Sequence, residues 1–150
     1  MFAFSITTFV IAGSDVSTYS WFKQKSWVSA ASEKQLIETK RWSTRNGEPP
    51  IAVGEAIRLA QPVFERLKDD VDGTYWMLDA VTLHPASPGN PEEPFTDNRW
   101  YWEVWYQMYG DSGGSGSWPH IKLIVLMDKT VVEPKLVTPM VPTDSTEIKP

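Results

Sequence analysis

Few residues in this chain have the types and spacing that chemistry requires. Ser112 sits in Gly110-Asp111-Ser112-Gly113-Gly114, where flanking glycines could expose a hydroxyl nucleophile and turn backbone amides toward an oxyanion. Such a serine needs a general base oriented by a carboxylate, and the histidines on offer are His84 and His120. Ser115-Gly116-Ser117 continues the stretch as plain Gly/Ser linker, so it reads first as a loop between strands. Metal binding is no better supplied. There is no cysteine and no HxxxH or HExxH pair. Asp69, Asp70 and Asp72 lack the alternating oxygens and distal Glu of an EF-hand loop, and read as solvation of a helix end. Glu103 with Glu133 is the one strand-borne carboxylate pair that could work as a dyad in a cleft. Gly110–Gly116 is not followed by Lys and a helix, so it is no phosphate loop. The expectation is a protein with no catalytic centre, no metal and no cofactor.

What remains is aromatic. The 150 residues include eight Trp, and Trp76, Trp100, Trp102, Trp105, Tyr106 and Tyr109 fall in two neighbouring segments. Arg99–Tyr109 (RWYWEVWYQMY) is the strongest strand pattern in the chain. Trp100, Trp102, Val104, Tyr106 and Met108 form the expected core face, because Glu103 and Gln107 mark the alternate face as wetter. Tyr101, Trp105 and Tyr109 on that wetter face are the candidate binding residues. Three rings on an exposed face suggest a surface for a protein partner, for self-association or for carbohydrate stacking. Coverage by the N-terminal segment, whose Trp21, Trp27 and Trp42 also need packing, is the structural alternative.

Several elements must position these rings. After the turn Asn46-Gly47-Glu48-Pro49-Pro50, the apolar residues Val53, Ala56, Ile57, Ala60, Val63, Phe64, Leu67 and Val71 recur at helical spacing. Pro62 interrupts that helix and predicts a kink or two shorter helices. Tyr75–His84 reads as a strand whose apolar phase changes near Asp79-Ala80, where a bulge would let Trp76 and Leu78 face one core with Val81 and Leu83. Pro85–Asn98 is a Pro-rich loop; His120–Met127 and Thr130–Glu133 make a hairpin around Asp128-Lys129. Strands joined without helices imply an antiparallel meander. The predicted fold class is α+β, one kinked helix packed on a four-stranded antiparallel sheet.

The ends read differently. Residues 1–12 (MFAFSITTFVIA) followed by Gly13-Ser14 fit the apolar region of an export signal, although no Lys or Arg precedes Lys23. This leans toward an exported protein. Trp21–Gly47 is polar and mildly basic and reads as a linker or loosely docked arm, with a short helix from Glu33 capped by Ser32. Prolines at 134, 139, 142 and 150 predict an extended, disordered tail. The expected organisation is an apolar segment and arm (1–47), a folded domain (48–135) and a Pro-rich tail (136–150). The net charge of −5 argues against a nucleic-acid partner, and no run of 18 apolar residues supports a transmembrane span.

In this order, GEAIRLAQPVFERL, WMLDAVTLHP, RWYWEVWYQ and KLIVLMDKTVVEP resemble the small PepSY-like domains with a cystatin-like roll. The resemblance covers about Pro50–Pro134, and departs from the family pattern at Pro62 and at Lys129, where a glycine is usual. It implies an exported or membrane-associated protein and a binding or regulatory role, since some such domains look like inhibitory or regulatory modules of peptidases. The cystatin inhibitor motif Q-x-V-x-G does not transfer, because Gln107-Met108-Tyr109-Gly110 is one residue short and lacks the Val. The GDSGG match to trypsin-like peptidases is likewise local: His84 lies in Leu-His-Pro rather than an alanine-rich setting, and the chain is short for a two-barrel enzyme. The expected function is a non-enzymatic PepSY-like module acting through its aromatic face. A small hydrolase, or an immunity or inhibitor protein blocking a partner enzyme, are the alternatives.

Overall fold

The computed structural model describes residues 14–86, 99–110 and 118–137. The chain runs β1 (Ser14–Phe22), β2 (Lys25–Ser32), α1 (Glu33–Glu38), a 3-10 turn (Thr44–Asn46), α2 (Val53–Leu67), β3 (Thr74–Pro85), β4 (Trp100–Gly110), β5 (His120–Leu126), β6 (Val131–Val132) and β7 (Lys135–Leu136). All the strand pairs are antiparallel.

The four-stranded sheet expected from the sequence is a misreading: among the described residues the sheet has seven strands, ordered β3-β4-β5-β1-β2-β7, with β6 paired to β5. The meander β3-β4-β5-β6 is present, but β1 and β2, formed by residues read as apolar segment and arm, extend it. Two physical reasons hid them. Their inward positions Thr18, Ser20 and Ser29 are small and polar yet buried, so the apolar alternation that marks a half-buried strand is missing. Their connection, Lys23-Gln24, takes left-handed φ values of 51° and 57° without the Asn or Gly that advertises such a hairpin turn.

Helix α2 is a single helix running through Pro62 rather than two. Its buried residues Ala56, Ala60, Val63 and Phe64 fall at three- and four-residue spacing, and Pro62 lies on the exposed side. That stripe packs on one face of the sheet, against Trp102, Val104, Tyr106, Ile121, Leu123 and Val125. Phe64 stacks on Tyr106 at 3.8 Å between ring centroids, and Trp102 Nε1 donates to the Ile51 carbonyl at 2.9 Å. The bulge lies between Leu78 and Ala80, so Trp76 and Leu78 before it share a face with Val81 and Leu83 after it.

The opposite face is covered as well. Val16, Ala31, Leu36, Ala86, Ile124, Leu126 and Val132 form a second core, with Tyr101 packed against it. The β1–β2 hairpin meets β5 in register at Trp21–His120 and then folds over this face. Thr18 Oγ1 donates to Glu103 at 2.6 Å, and the Ser20 and Ser29 hydroxyls reach the Lys122 carbonyl. Helix α1 carries the expected Ser32 cap as a capping box with Gln35. Its C-terminal end is closed by Arg99, only 7% exposed, which donates to the carbonyls of Leu36 (2.6 Å), Ile37 and Thr39 (2.9 Å).

Candidate functional site

The wetter face of β4 holds Tyr101, Glu103, Trp105, Gln107 and Tyr109 in alternation, as strand geometry requires. The structure places the three aromatic candidates in three different environments. Tyr101 is half-buried, packs on the second core and stacks on His84 at 5.3 Å. Burial and, to a lesser extent, the neighbouring Glu103 carboxylate push its hydroxyl pKa above the ordinary value. Trp105 is half-buried beneath the Lys122 ammonium, 4.4 Å from the ring, with His120 edge-on at 6.3 Å. Its indole N–H is buried without an acceptor, so this ring fills space and offers no polar handle. Tyr109 stacks on Tyr75 at 6.0 Å and donates its hydroxyl to Asp79 at 2.9 Å, a bond that raises its pKa.

The exposed part of this face lies on the neighbouring strand. Tyr75 opposes Tyr109 and Met77 opposes Gln107, and they are 52% and 51% exposed; Leu78, on the other face, is 40% exposed. Among the described residues β3 pairs with β4 alone, so its second edge is open. Sequence reasoning assigned Trp76 and Leu78 to the core and passed over Tyr75 and Met77. The signal available for them was pairing register: a strand aligned antiparallel to β4 with Trp76 facing inward must turn Tyr75 and Met77 outward beside Tyr109.

Among the described residues the reactive groups do not converge. His84 pairs with Tyr101 and His120 with Gln107, six positions apart on β4, or about 20 Å at ordinary strand rise. Ser112 falls in residues 111–117, outside the described part of the chain, and most of the 85–98 loop and of the tail falls outside it too. Glu103 is held by Thr18 and by Lys122 Nζ at 3.4 Å, whereas Glu133 pairs with Arg66 of α2. They form no dyad. Asp69, Asp70 and Asp72 line a cleft of about 480 Å³ between the end of α2 and the start of β3, together with Phe64, Tyr75 and Trp76. Among the described residues no three His, Asp or Glu side chains are grouped so as to hold a metal ion.

No family model, curated protein or solved structure matches this chain. No helix among the described residues is long and apolar enough to cross a membrane.

Proposed function

We propose that this chain is a non-enzymatic binding module whose protein partner docks at the start of β3. One observation carries this reading: Tyr75 and Met77 stand in solvent on one face of β3, with Leu78 exposed on its other face, on a strand whose second edge is unpaired among the described residues. Strands that natural proteins leave at an edge are usually shortened or charged, because bare backbone groups beside apolar side chains invite pairing. β3 is 12 residues long, and Asp79 is its one carboxylate. Such a patch marks a contact surface more often than an ornament of the fold. The resemblance of Pro50–Pro134 to PepSY-like domains, some of them regulatory, points to the same class of role.

The reading is tested by capture from source-cell extract on the full chain beside its Tyr75→Ser/Met77→Ser variant, with circular dichroism confirming that both are folded. A partner held by the unmodified chain and lost from the variant supports the module. Equal retention by both, or none by either, removes it.

A further inference from the structure

We propose that the outer edge of β3 at residues 74–78 takes up an extended, basic-flanked segment of the partner polypeptide as an added antiparallel strand. This rests on the binding-module reading and specifies how the partner docks and what it presents. The Met108 N–H turns away from β3 and donates to the Pro119 carbonyl at 2.9 Å. Met108 lies opposite Trp76, so the two form a pair without mutual hydrogen bonds, and the Trp76 N–H and C=O point to the outer edge. Leu78, two residues on, points its own N–H and C=O the same way. The Thr74 carbonyl does so too, whereas the Thr74 N–H is held by the Val71 carbonyl at 3.0 Å. No strand among the described residues meets these groups. The bulge between Leu78 and Ala80 then breaks the alternation and ends the usable edge at Leu78.

The side chains along this stretch define what the added strand carries. Tyr75 and Met77 share one face and are 52% and 51% exposed, so apolar side chains at alternate positions of the incoming segment cover them. The stretch itself is uncharged, and exposed acids stand at both its ends, Asp70 and Asp72 before it and Asp79 after it. Lys68, at the end of α2, is committed to Glu65, with Nζ 2.9 Å from that carboxylate. Lys or Arg on either side of the apolar positions therefore meets opposite charge, and an acidic segment meets like charge. The same signs disfavour a second copy of this chain. Two β3 edges paired antiparallel over this stretch lay the Asp79 end of each along the Asp72 end of the other, in a protein of net charge −5. Strand addition of this kind draws affinity from main-chain hydrogen bonds and selectivity from alternate side chains, and β3 offers both.

The test is a ¹H–¹⁵N NMR titration of the full chain with the peptide acetyl-Lys-Thr-Val-Thr-Val-Thr-Lys-amide, following the backbone amides of Trp76 and Leu78. The Val side chains are placed to cover Tyr75 and Met77, and the Thr amides to bond the β3 edge. Comparison peptides carry Glu in place of both Lys, N-methyl groups on the Thr amides, or N-methyl groups on the Val amides, which face away. The Lys peptide is expected to shift both signals saturably, the Glu peptide to bind about tenfold more weakly, or ~1.4 kcal/mol, and methylation to abolish binding at Thr but not at Val. Asp72→Asn/Asp79→Asn should likewise weaken the Lys peptide about tenfold, and the same spectra report whether that variant is folded. Absence of a shift, equal affinity for the Lys and Glu peptides, undiminished binding by the variant, or an equal effect of the two methylations overturns the proposal. Shifts of Trp76 and Leu78 that follow the concentration of the chain alone, with a dimer in sedimentation, overturn it in favour of a second copy. If partner capture still depends on Tyr75 and Met77 while the Lys peptide fails to bind, the module stands and this assignment of the edge falls.

Discussion

Arg99 shows how much one residue can be asked to hold. Helix α1 is six residues long, and one buried guanidinium donates to the carbonyls of Leu36, Ile37 and Thr39 at its end, the Leu36 carbonyl also accepting from the Thr39 N–H and hydroxyl. A cation there also complements the helix C-terminus. Arg99→Ala leaves those carbonyls without this donor in a buried site and is expected to cost about 3 kcal/mol, with Arg99→Lys recovering part of it, because all three contacts come from one nitrogen, Nη1, and an ammonium also carries three donors but on a shorter side chain. Denaturant midpoints at constant m-value measure this; a loss under about 1 kcal/mol would show that water replaces the guanidinium. Tyr106 makes a prediction about pH. Burial, and secondarily the Glu65 carboxylate, push its hydroxyl pKa up to about 12, against about 10 in an unfolded chain. The unfolded state therefore releases this proton first, so the contribution is intact below about pH 10 and is lost as the pH rises toward 12. Tyr106→Phe should flatten the decline in denaturant midpoint over that window; an unchanged slope would assign it to other tyrosines.

At the scale of elements, the β5–β6 connection tests the cost of a side chain where glycine is usual. Lys129 takes φ 75°; its N–H donates to the Leu126 carbonyl and the Leu126 N–H to the Thr130 carbonyl, the pattern of a type I turn closed by a one-residue bulge. Lys129 also pairs with Glu55 of α2 at 2.8 Å, which lowers the Glu55 pKa. Exposed ion pairs are weak while a left-handed non-glycine residue costs about 1 kcal/mol or more, so Lys129→Gly should raise the melting temperature slightly. A clear fall would mean that the pair to α2 outweighs the strain. The two ends of the wetter face of the β3–β4 ribbon give a contrast. Tyr101→Ser empties part of the second core and should cost about 3 kcal/mol, whereas Tyr75→Ser/Met77→Ser should stay within about 0.5 kcal/mol for each site. Comparable losses for both would place Tyr75 and Met77 in a packed interior.

For the whole molecule, the decisive fact is that the sheet is covered on both sides. α2 takes one face, and the β1–β2 hairpin folds over the other, where it also holds Glu103 and the free backbone edge of Lys122. A fragment of residues 48–137 therefore loses the cover over Ile124, Leu126 and Tyr101 and is expected to give no cooperative thermal transition, while residues 14–137 should melt as one unit. A cooperative transition in the shorter fragment would show that the hairpin is dispensable.

From the sequence by itself came α2 and the middle of its buried stripe (Val53 and Val71, read into it, are exposed), the alternation in β4, the bulge that rephases β3, and the Ser32 cap. Each is a local pattern, written in spacing or in one side chain's hydrogen bond to its neighbours. The number of strands and the exposure of Tyr101, Trp105 and Tyr109 were not legible. Those depend on which segment lies over which face, and the covering segment buries Thr18, Ser20 and Ser29, whose side chains carry no apolar signal of burial. Composition could say that rings stood on a strand face; only the tertiary fold decided that Tyr101 is packed, that Trp105 lies beneath Lys122, and that Tyr75 and Met77 remain in solvent on β3. Burial is a property of contacts between residues far apart in the chain, such as Thr18 with Glu103, and no local spacing encodes it.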